Sequence, residues 1–358
     1  RGDGGRLQLD AQNQSRVMEV ASGTNARLVN LDFVNGNATG ESTNRGGALW
    51  SGSGANLSLE RCRATGSRAG LGGGIFALGR LDISECEVSD NTAEQGGGLF
   101  LGTGEMTIRY STISGNEATG IGGGGLMQTS TTEVTINHST ITENITQVGG
   151  TGGGLWVEAG ALDRTARLVL NHSTVVLNNR SRGATGSDLW SGLGATVELN
   201  ASVIATAAGD DGCAVDADNG ATLSAAYSLF EQGTTCLTED RGNNLVGNPV
   251  LHALADNGGP TRTRLPRWQD SPLIDAIPCD AISDPNFDNA RDQRGQPRPQ
   301  LGVTDCDIGA VELIQNIITL EVVGQGRASA TGPAPLNGAI AECGTAAGDC
   351  QGLWPGEP

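Results

Sequence analysis

Five times along this chain a glycine cluster runs directly into two large apolar residues: Gly46-Gly47-Ala48-Leu49-Trp50, Gly72-Gly73-Gly74-Ile75-Phe76, Gly96-Gly97-Gly98-Leu99-Phe100, Gly123-Gly124-Gly125-Leu126-Met127 and Gly152-Gly153-Gly154-Leu155-Trp156. A degenerate sixth copy is Gly186-Ser187-Asp188-Leu189-Trp190, and successive copies lie 24 to 34 residues apart. Self-similarity at such a period marks a stack of small supersecondary units. The segments from Leu81 to Val88, Met106 to Ile113, Val134 to Ile141 and Leu168 to Val175 align without gaps. They alternate in twos, which is the strand period. Between strand and glycine cluster an asparagine recurs: Asn37, Asn91, Asn116, Asn144 and Asn178.

A unit this short cannot bury its own apolar face, so stacked neighbours must supply the core. The expected fold class is all-β, a parallel β-helix or solenoid. Six marked coils, a lead-in at residues 7–25 and two degenerate coils at 195–245 predict eight or nine coils. At the inter-strand spacing of a sheet this is a rod on the order of 40 Å long. Composition removes the alternatives. Glycine supplies 56 of 358 residues but proline only 12, without a triplet period, which excludes collagen, and so much glycine opposes helix bundles.

The 40 acidic residues outnumber the 22 basic ones, and a net charge of −18 opposes binding to nucleic acid or anionic membrane. Every basic residue is arginine, so lysine chemistry is excluded. No apolar run is long enough for a membrane span. Arg1 starts neither a signal peptide nor an initiator sequence, so the chain reads as a piece of a longer one.

Aligning the coils produces columns. Cys62, Cys86, Ser111, Ser139, Ser173, Ser202 and Ser228 share one column of small side chains, expected to point inward at a crowded corner. Flanking it, Arg61 aligns with Glu85 and Arg63 with Glu87, which places opposite charges on neighbouring outward positions. Such pairs contribute about a few tenths of a kcal/mol each. The eight cysteines fall as sequential neighbours, Cys62 and Cys86, Cys213 and Cys236, Cys279 and Cys306, Cys343 and Cys350, with no CxxC motif. This points to disulfides and an oxidising, extracytoplasmic location. For Cys62 and Cys86, a cross-rung disulfide and a pair of stacked buried thiols are both open.

The units Val88-Ser89-Asp90-Asn91, Ile113-Ser114-Gly115-Asn116 and Ile141-Thr142-Glu143-Asn144 resemble the repeats of polymorphic outer membrane proteins over residues 27–194 or so. From Gly247 onward come Gly247-Asn248-Pro249-Val250-Leu251, Leu254-Ala255-Asp256-Asn257-Gly258-Gly259-Pro260-Thr261, Ser271-Pro272-Leu273-Ile274-Asp275-Ala276, Asp292-Gln293-Arg294-Gly295, Arg298-Pro299 and Cys306-Asp307-Ile308-Gly309-Ala310-Val311-Glu312. This order is similar to the terminal segment of choice-of-anchor Q domain proteins, bacterial secreted β-helices. The resemblance implies export, a cell-surface or secreted location and no established catalytic activity. The expected domains are a β-helix over residues 1–245, a terminal segment over 246–313 that closes the helix, and the start of a small β-repeat module over 314–358.

Three groups are candidates for a site. Trp50, Phe76, Phe100, Met127, Trp156 and Trp190 form one column, which alternation turns outward if the preceding Leu or Ile points inward. It is either an aromatic stripe for a glycan or a second subunit, or a column covered by the loops at 117–122 and 145–151. Asp210, Asp211, Asp216 and Asp218 could hold calcium, although they lack the spacing of a calcium loop, or form a solvated loop beside Cys213. His138 and His172 align beside Asn137 and Asn171, and a structural ladder is favoured over acid-base work, since no carboxylate repeats beside them. Asp292, Arg294, Arg298 and Asp307 are expected to form an ion-pair network at the helix end. The functional expectation is a non-enzymatic structural or adhesive surface protein able to self-associate into fibres. The competing expectation is a polysaccharide lyase, hydrolase or glycan-binding module. No cofactor other than calcium is implied.

Overall fold

The computed structural model describes residues 5–120, 122–147, 151–161, 163–178, 186–206, 211–268, 270–282, 289–299, 304–313, 315–320 and 350–355. One coil shows the plan. Glu87–Ser89 lies in a narrow sheet, Thr92–Gln95 in a short sheet and Leu99–Arg109 in a broad sheet, after which Thr112–Ser114 returns to the narrow sheet one storey up. Every pairing between coils is parallel. Leu99 lies between Ile75 and Leu126, and Val88 between Ala64 and Ile113. The narrow sheet has 10 strands, from Leu7–Asp10 to Leu245–Val246, and the broad sheet 15. A parallel β-solenoid is therefore the fold.

The interior is filled by columns of like residues, such as Ile83, Ile108, Ile136, Leu170 and Leu199, all buried. The glycine clusters are explained by crowding. A Cβ on Gly98 would stand 2.6 Å from the Gly125 carbonyl oxygen and 2.9 Å from the Asn116 side chain, closer than real Cβ contacts allow. The first glycine of each cluster is left-handed, as at Gly72 with φ of 61°, a conformation that costs glycine least.

Two polar ladders hold the corners. In the first, the Cys86 amide donates to Ser111 Oγ at 3.1 Å, that of Ser111 to Ser139 Oγ at 3.2 Å, and that of Ser173 to Ser202 Oγ at 3.1 Å. Each serine hydroxyl in turn donates to the carbonyl two residues back, as Ser111 does to Arg109 at 2.7 Å. This column is inward, as expected. Cys62 and Cys86 belong to it as free buried thiols, with the Cys62 amide donating to Cys86 Sγ at 3.2 Å. The sulfurs thus occupy the place of hydroxyls. A hydrogen bond to Cys86 lowers the Cys62 thiol to about 7, while burial and then Cys62 push Cys86 well up.

The second ladder is asparagine. Asn91, Asn116 and Asn144 each donate from Nδ2 to the Oδ1 of the next rung, at 3.0, 2.9 and 2.9 Å, and to a carbonyl of the rung below. Asn37 is a correction to the sequence alignment. The left-handed residue that precedes this column is Asn35, so Gly36 and then Ser67 occupy its lowest positions, and the Gly36 amide donates to Ser67 Oγ at 3.0 Å.

The outward charge pairs form as expected, Arg61 with Glu85 at 3.9 Å and Arg63 with Glu87 at 3.6 Å. The expected end-closing role of residues 246–313 needs correction. This segment doubles back along the outside of the narrow sheet. Its physical reason is that the outward positions of those strands are hydroxyls on the middle rungs and aliphatic chains on the later ones, and both need partners. Thr140 donates to Gln293 Oε1 at 2.6 Å, Gln293 Nε2 donates to Thr112 at 3.0 Å, and the Ala310 amide donates to Thr174 at 3.0 Å. Farther along, Val176, Val203, Ala205 and Leu229 bury against Leu273, Ile277, Cys306 and Ile308 as a second core. The end of the rod is covered instead by the chain around Cys236 and Leu237, packed against the main core. Residues 315–320 and 350–355 pair antiparallel. Cys343 and most of the expected terminal module lie outside the described residues.

Candidate functional site

The aromatic column is in register through Trp50, Phe76, Phe100, Met127, Trp156 and Trp190. The preceding Leu49, Ile75, Leu99, Leu126, Leu155 and Leu189 all enter the interior core. Alternation therefore turns the column outward, where it forms a separate apolar cluster. It is not an open stripe. Phe76, Phe100, Met127 and Trp156 are 2–7% exposed, and only Trp50 and Trp190 at the two ends are half-buried. Phe76 stacks on Phe100 with centroids 5.2 Å apart, Leu71 and Leu78 pack against the cluster, and the Arg45 guanidinium lies 5.0 Å over Phe76.

His138 and His172 are fully buried beneath the folded-back segment. Both occupy the left-handed corner position, with φ of 43° and 42°, and stack in a file with Tyr110, centroids 5.5 and 5.4 Å apart. The Arg298 guanidinium bonds to His172 Nδ1. Since a guanidinium only donates, Nδ1 is the acceptor and the ring is neutral. Burial, then the Arg298 charge, holds His172 well below the usual imidazole range. The histidines form a structural file, as the sequence favoured.

Arg298 anchors the expected network, which lies along the flank and not at the helix end. It donates to the carbonyls of Asp307 and Gly309, each at 3.0 Å, and faces Glu312 at 3.4 Å, both side chains fully buried. Asp292 accepts the amides of Arg294, Gln296 and Glu312 and pairs with Arg294 at 3.0 Å. Asp307 accepts the amides of Asp275 and Leu313 at 2.8 and 2.7 Å. Burial, with the Glu312 charge next, raises Asp307 to about 8. Among the described residues, Asp275, Asp307 and Glu312 converge, each offering an oxygen within 4.8 Å of the others. Sequence reading missed Gln293, which meets Thr112 and Thr140 more than 100 residues away, and Glu312, which meets Arg298 and the Asp307 amide within the flanking segment.

The acidic group beside Cys213 does not converge among the described residues. Asp210 lies outside them, the Asp216 carboxylate accepts Asn219 Nδ2 at 3.0 and 2.9 Å, and Asp218 is exposed in the short turn Ala217–Asn219. The disulfides Cys213–Cys236 and Cys279–Cys306 form as paired in the sequence. Among the described residues, no helix is long and apolar enough to cross a membrane.

No curated protein and no solved structure matches this chain. The family model described as a right handed beta helix region matches residues 17–202, just over half of the 358 residues and most of the coils described above. The chain belongs to the right-handed β-helix family.

Proposed function

We propose that this chain is a non-enzymatic extracellular rod that acts by display and adhesion, holding outward side chains in rigid register so that weak contacts add. One observation carries the reading: buried ionisable groups such as Asp292, Arg298, Asp307 and Glu312 are engaged in structural networks, while many outward carboxylates lie against arginines on neighbouring rungs, as Glu133 and Glu198 do against Arg167. A hydrolase or lyase needs converging carboxylates, or a base, facing an open cleft. Two disulfides support an oxidising location. The ordered motifs from Gly247 onward support placing the chain with the choice-of-anchor Q proteins. The test is incubation with polygalacturonate, alginate and neutral glucans. Intact polymer and saturable binding to cells or glycans support the proposal, and shortening of any polymer overturns it.

Self-association into fibres belongs to the same reading. Among the described residues Leu7–Asp10, Met18–Val20 and Asn25–Val29 each pair on one side only, and a strand edge that no further coil covers templates pairing with another chain. Electron microscopy of the native protein tests this: rods joined end to end support it, and single rods overturn it.

A further inference from the structure

Along the second half of the broad sheet runs a groove of about 660 Å³, within the range of ligand sites. Its floor comes from five rungs, roughly 20 Å of the rod axis, and carries Thr107, Thr135 and the column Arg109, Asn137, Asn171 and Asn200. Tyr227 and the turn at Ala281 and Ile282, next to the Cys279–Cys306 disulfide, also line it. The groove is distinct from the covered aromatic column.

Hydrogen bonding gives this floor a direction. Arg241 donates to Asn200 Oδ1 at 2.6 Å, Asn200 Nδ2 to Asn171 Oδ1 at 2.9 Å, and Asn171 Nδ2 to Asn137 Oδ1 at 2.9 Å. Arginine can only donate, so it fixes the orientation of every amide in the file. The file therefore ends on the Asn137 Nδ2 donor, which no protein acceptor engages among the described residues. A chain of aligned hydrogen bonds that starts at a cation strengthens its terminal donor. One rung below Asn137, in direct register, stands Arg109. It is exposed, and no carboxylate or carbonyl among the described residues holds its guanidinium.

The charges agree. The groove is lined by Arg109, Arg167 and Arg241 against Glu133 and Glu198, and both glutamates lie on Arg167 at 2.8 and 2.9 Å, so the lining is positive by one charge and the Arg109 guanidinium is not engaged by either glutamate. This is a local positive site on a chain of net charge −18.

We infer that this groove binds an acidic polysaccharide along the rod axis, with one sugar carboxylate held between the Arg109 guanidinium and Asn137 Nδ2. The hydroxyls of Thr107 and Thr135 and the amide oxygens of the asparagine file suit sugar hydroxyls, and the Tyr227 ring offers a face for stacking. An acidic peptide would satisfy the charge but not this row of neutral hydrogen-bonding groups.

The experiment is calorimetric titration of the full chain with a short oligogalacturonate, a neutral glucan oligomer and polyglutamate. The expected result is saturable binding of the uronate that weakens with salt, with far weaker binding of the other two. Arg109→Gln should weaken it by about ten- to a hundredfold, the value of one charge-assisted hydrogen-bonded contact. Asn137→Asp keeps the acceptor for Asn171 but replaces the neutral terminal donor with a negative charge, and should abolish binding, with circular dichroism showing that the variant remains folded. Arg267→Gln, an exposed arginine outside the groove, should change nothing. Absence of uronate binding, equal binding by Arg109→Gln, or equal affinity for polyglutamate overturns the inference. Shortening of the bound uronate would instead overturn the non-enzymatic reading and leave this site standing.

Discussion

Asp188 Oδ1 accepts both the backbone amide and the side-chain amide of Asn178, at 2.9 and 2.8 Å. For Asn91, Asn116 and Asn144 that service comes from the asparagine of the next coil. Asp188 instead stands in the same coil as Asn178, at the place of the third glycine, Gly154, in the coil below. The next coil offers no asparagine at this corner, where Thr206 follows Val203–Ala205, so a side chain on the glycine position fits and ends the ladder. Burial pushes the Asp188 carboxyl well up, which disfavours the ionised form of the group that ends the ladder. Asp188→Asn should therefore raise the melting temperature at neutral pH, because it keeps the acceptor without the ionisation. Asp188→Ala should lower stability by about 1–3 kcal/mol, the cost of a buried donor left unsatisfied. Thermal melts followed by circular dichroism check both signs.

The two corner ladders differ in how many bonds each side chain makes. Asn144 accepts two hydrogen bonds from Asn116 and donates to the Ile113 carbonyl and to Asn178. Ser139 accepts one, from the Ser111 amide, and donates to its own-strand Asn137 carbonyl. Asn144→Ala is expected to cost about 3–5 kcal/mol and Ser139→Ala about 1–2 kcal/mol. Denaturant titrations that rank the two in the opposite order would refute the asparagine ladder as the stronger staple.

Stability should depend on pH through the flanking segment. An unfolded carboxyl titrates near 4, whereas Asp307 is raised to about 8. Between those values the folded chain holds a proton that the unfolded chain has released, so stability falls as pH rises. His172 acts in the opposite sense. Its folded value is depressed, so stability is lost as pH falls below about 6.5, where the unfolded imidazole takes up a proton. The two oppose each other below about 6.5, and Asp307 prevails from there to about 8. Over that window a loss on the order of 2 kcal/mol is expected from Asp307, with Asp188 adding a slope of the same sign. Asp307→Asn should lower overall stability but flatten this profile, as melts at several pH values would show.

Removing the guanidinium of Arg298 should be severe. Arg298→Met leaves Glu312 buried without its cation and removes the donor to His172. The expected loss is about 3–5 kcal/mol, concentrated in residues 247–313. Hydrogen exchange would show early opening of this segment over the narrow sheet while the inner core amides stay protected. Uniform opening of the whole chain would mean that rod and segment unfold as one unit.

The solenoid was legible because its signal is repetition. A period of alternating strand, asparagine and glycine cluster recurs over adjacent coils, and residues in register, such as Leu99 and Leu126, sit in equivalent places in equivalent units. Stacking equivalent residues is a local rule, so the Cys62 to Ser228 column and the Arg61 and Arg63 charge pairs could be read from alignment alone, and two of the disulfide pairings from the order of the cysteines along the chain. Even Asp188 left a trace, as the residue that breaks the third glycine of its cluster.

Only the tertiary structure decided what covers the outside. Whether Phe100 and Trp156 stay open depends on loops whose path no repeat dictates. The placing of Gln293 against Thr112 and Thr140, or of Arg298 against His172, joins residues more than 100 positions apart that share no periodic relation. Those contacts arise because a polar outward column on the narrow sheet and an irregular segment with complementary donors satisfy each other once the rod exists. Repetition determines the stack, since each rung is its neighbour's template. The surface has no template, and its burial follows from which unpartnered groups meet in space.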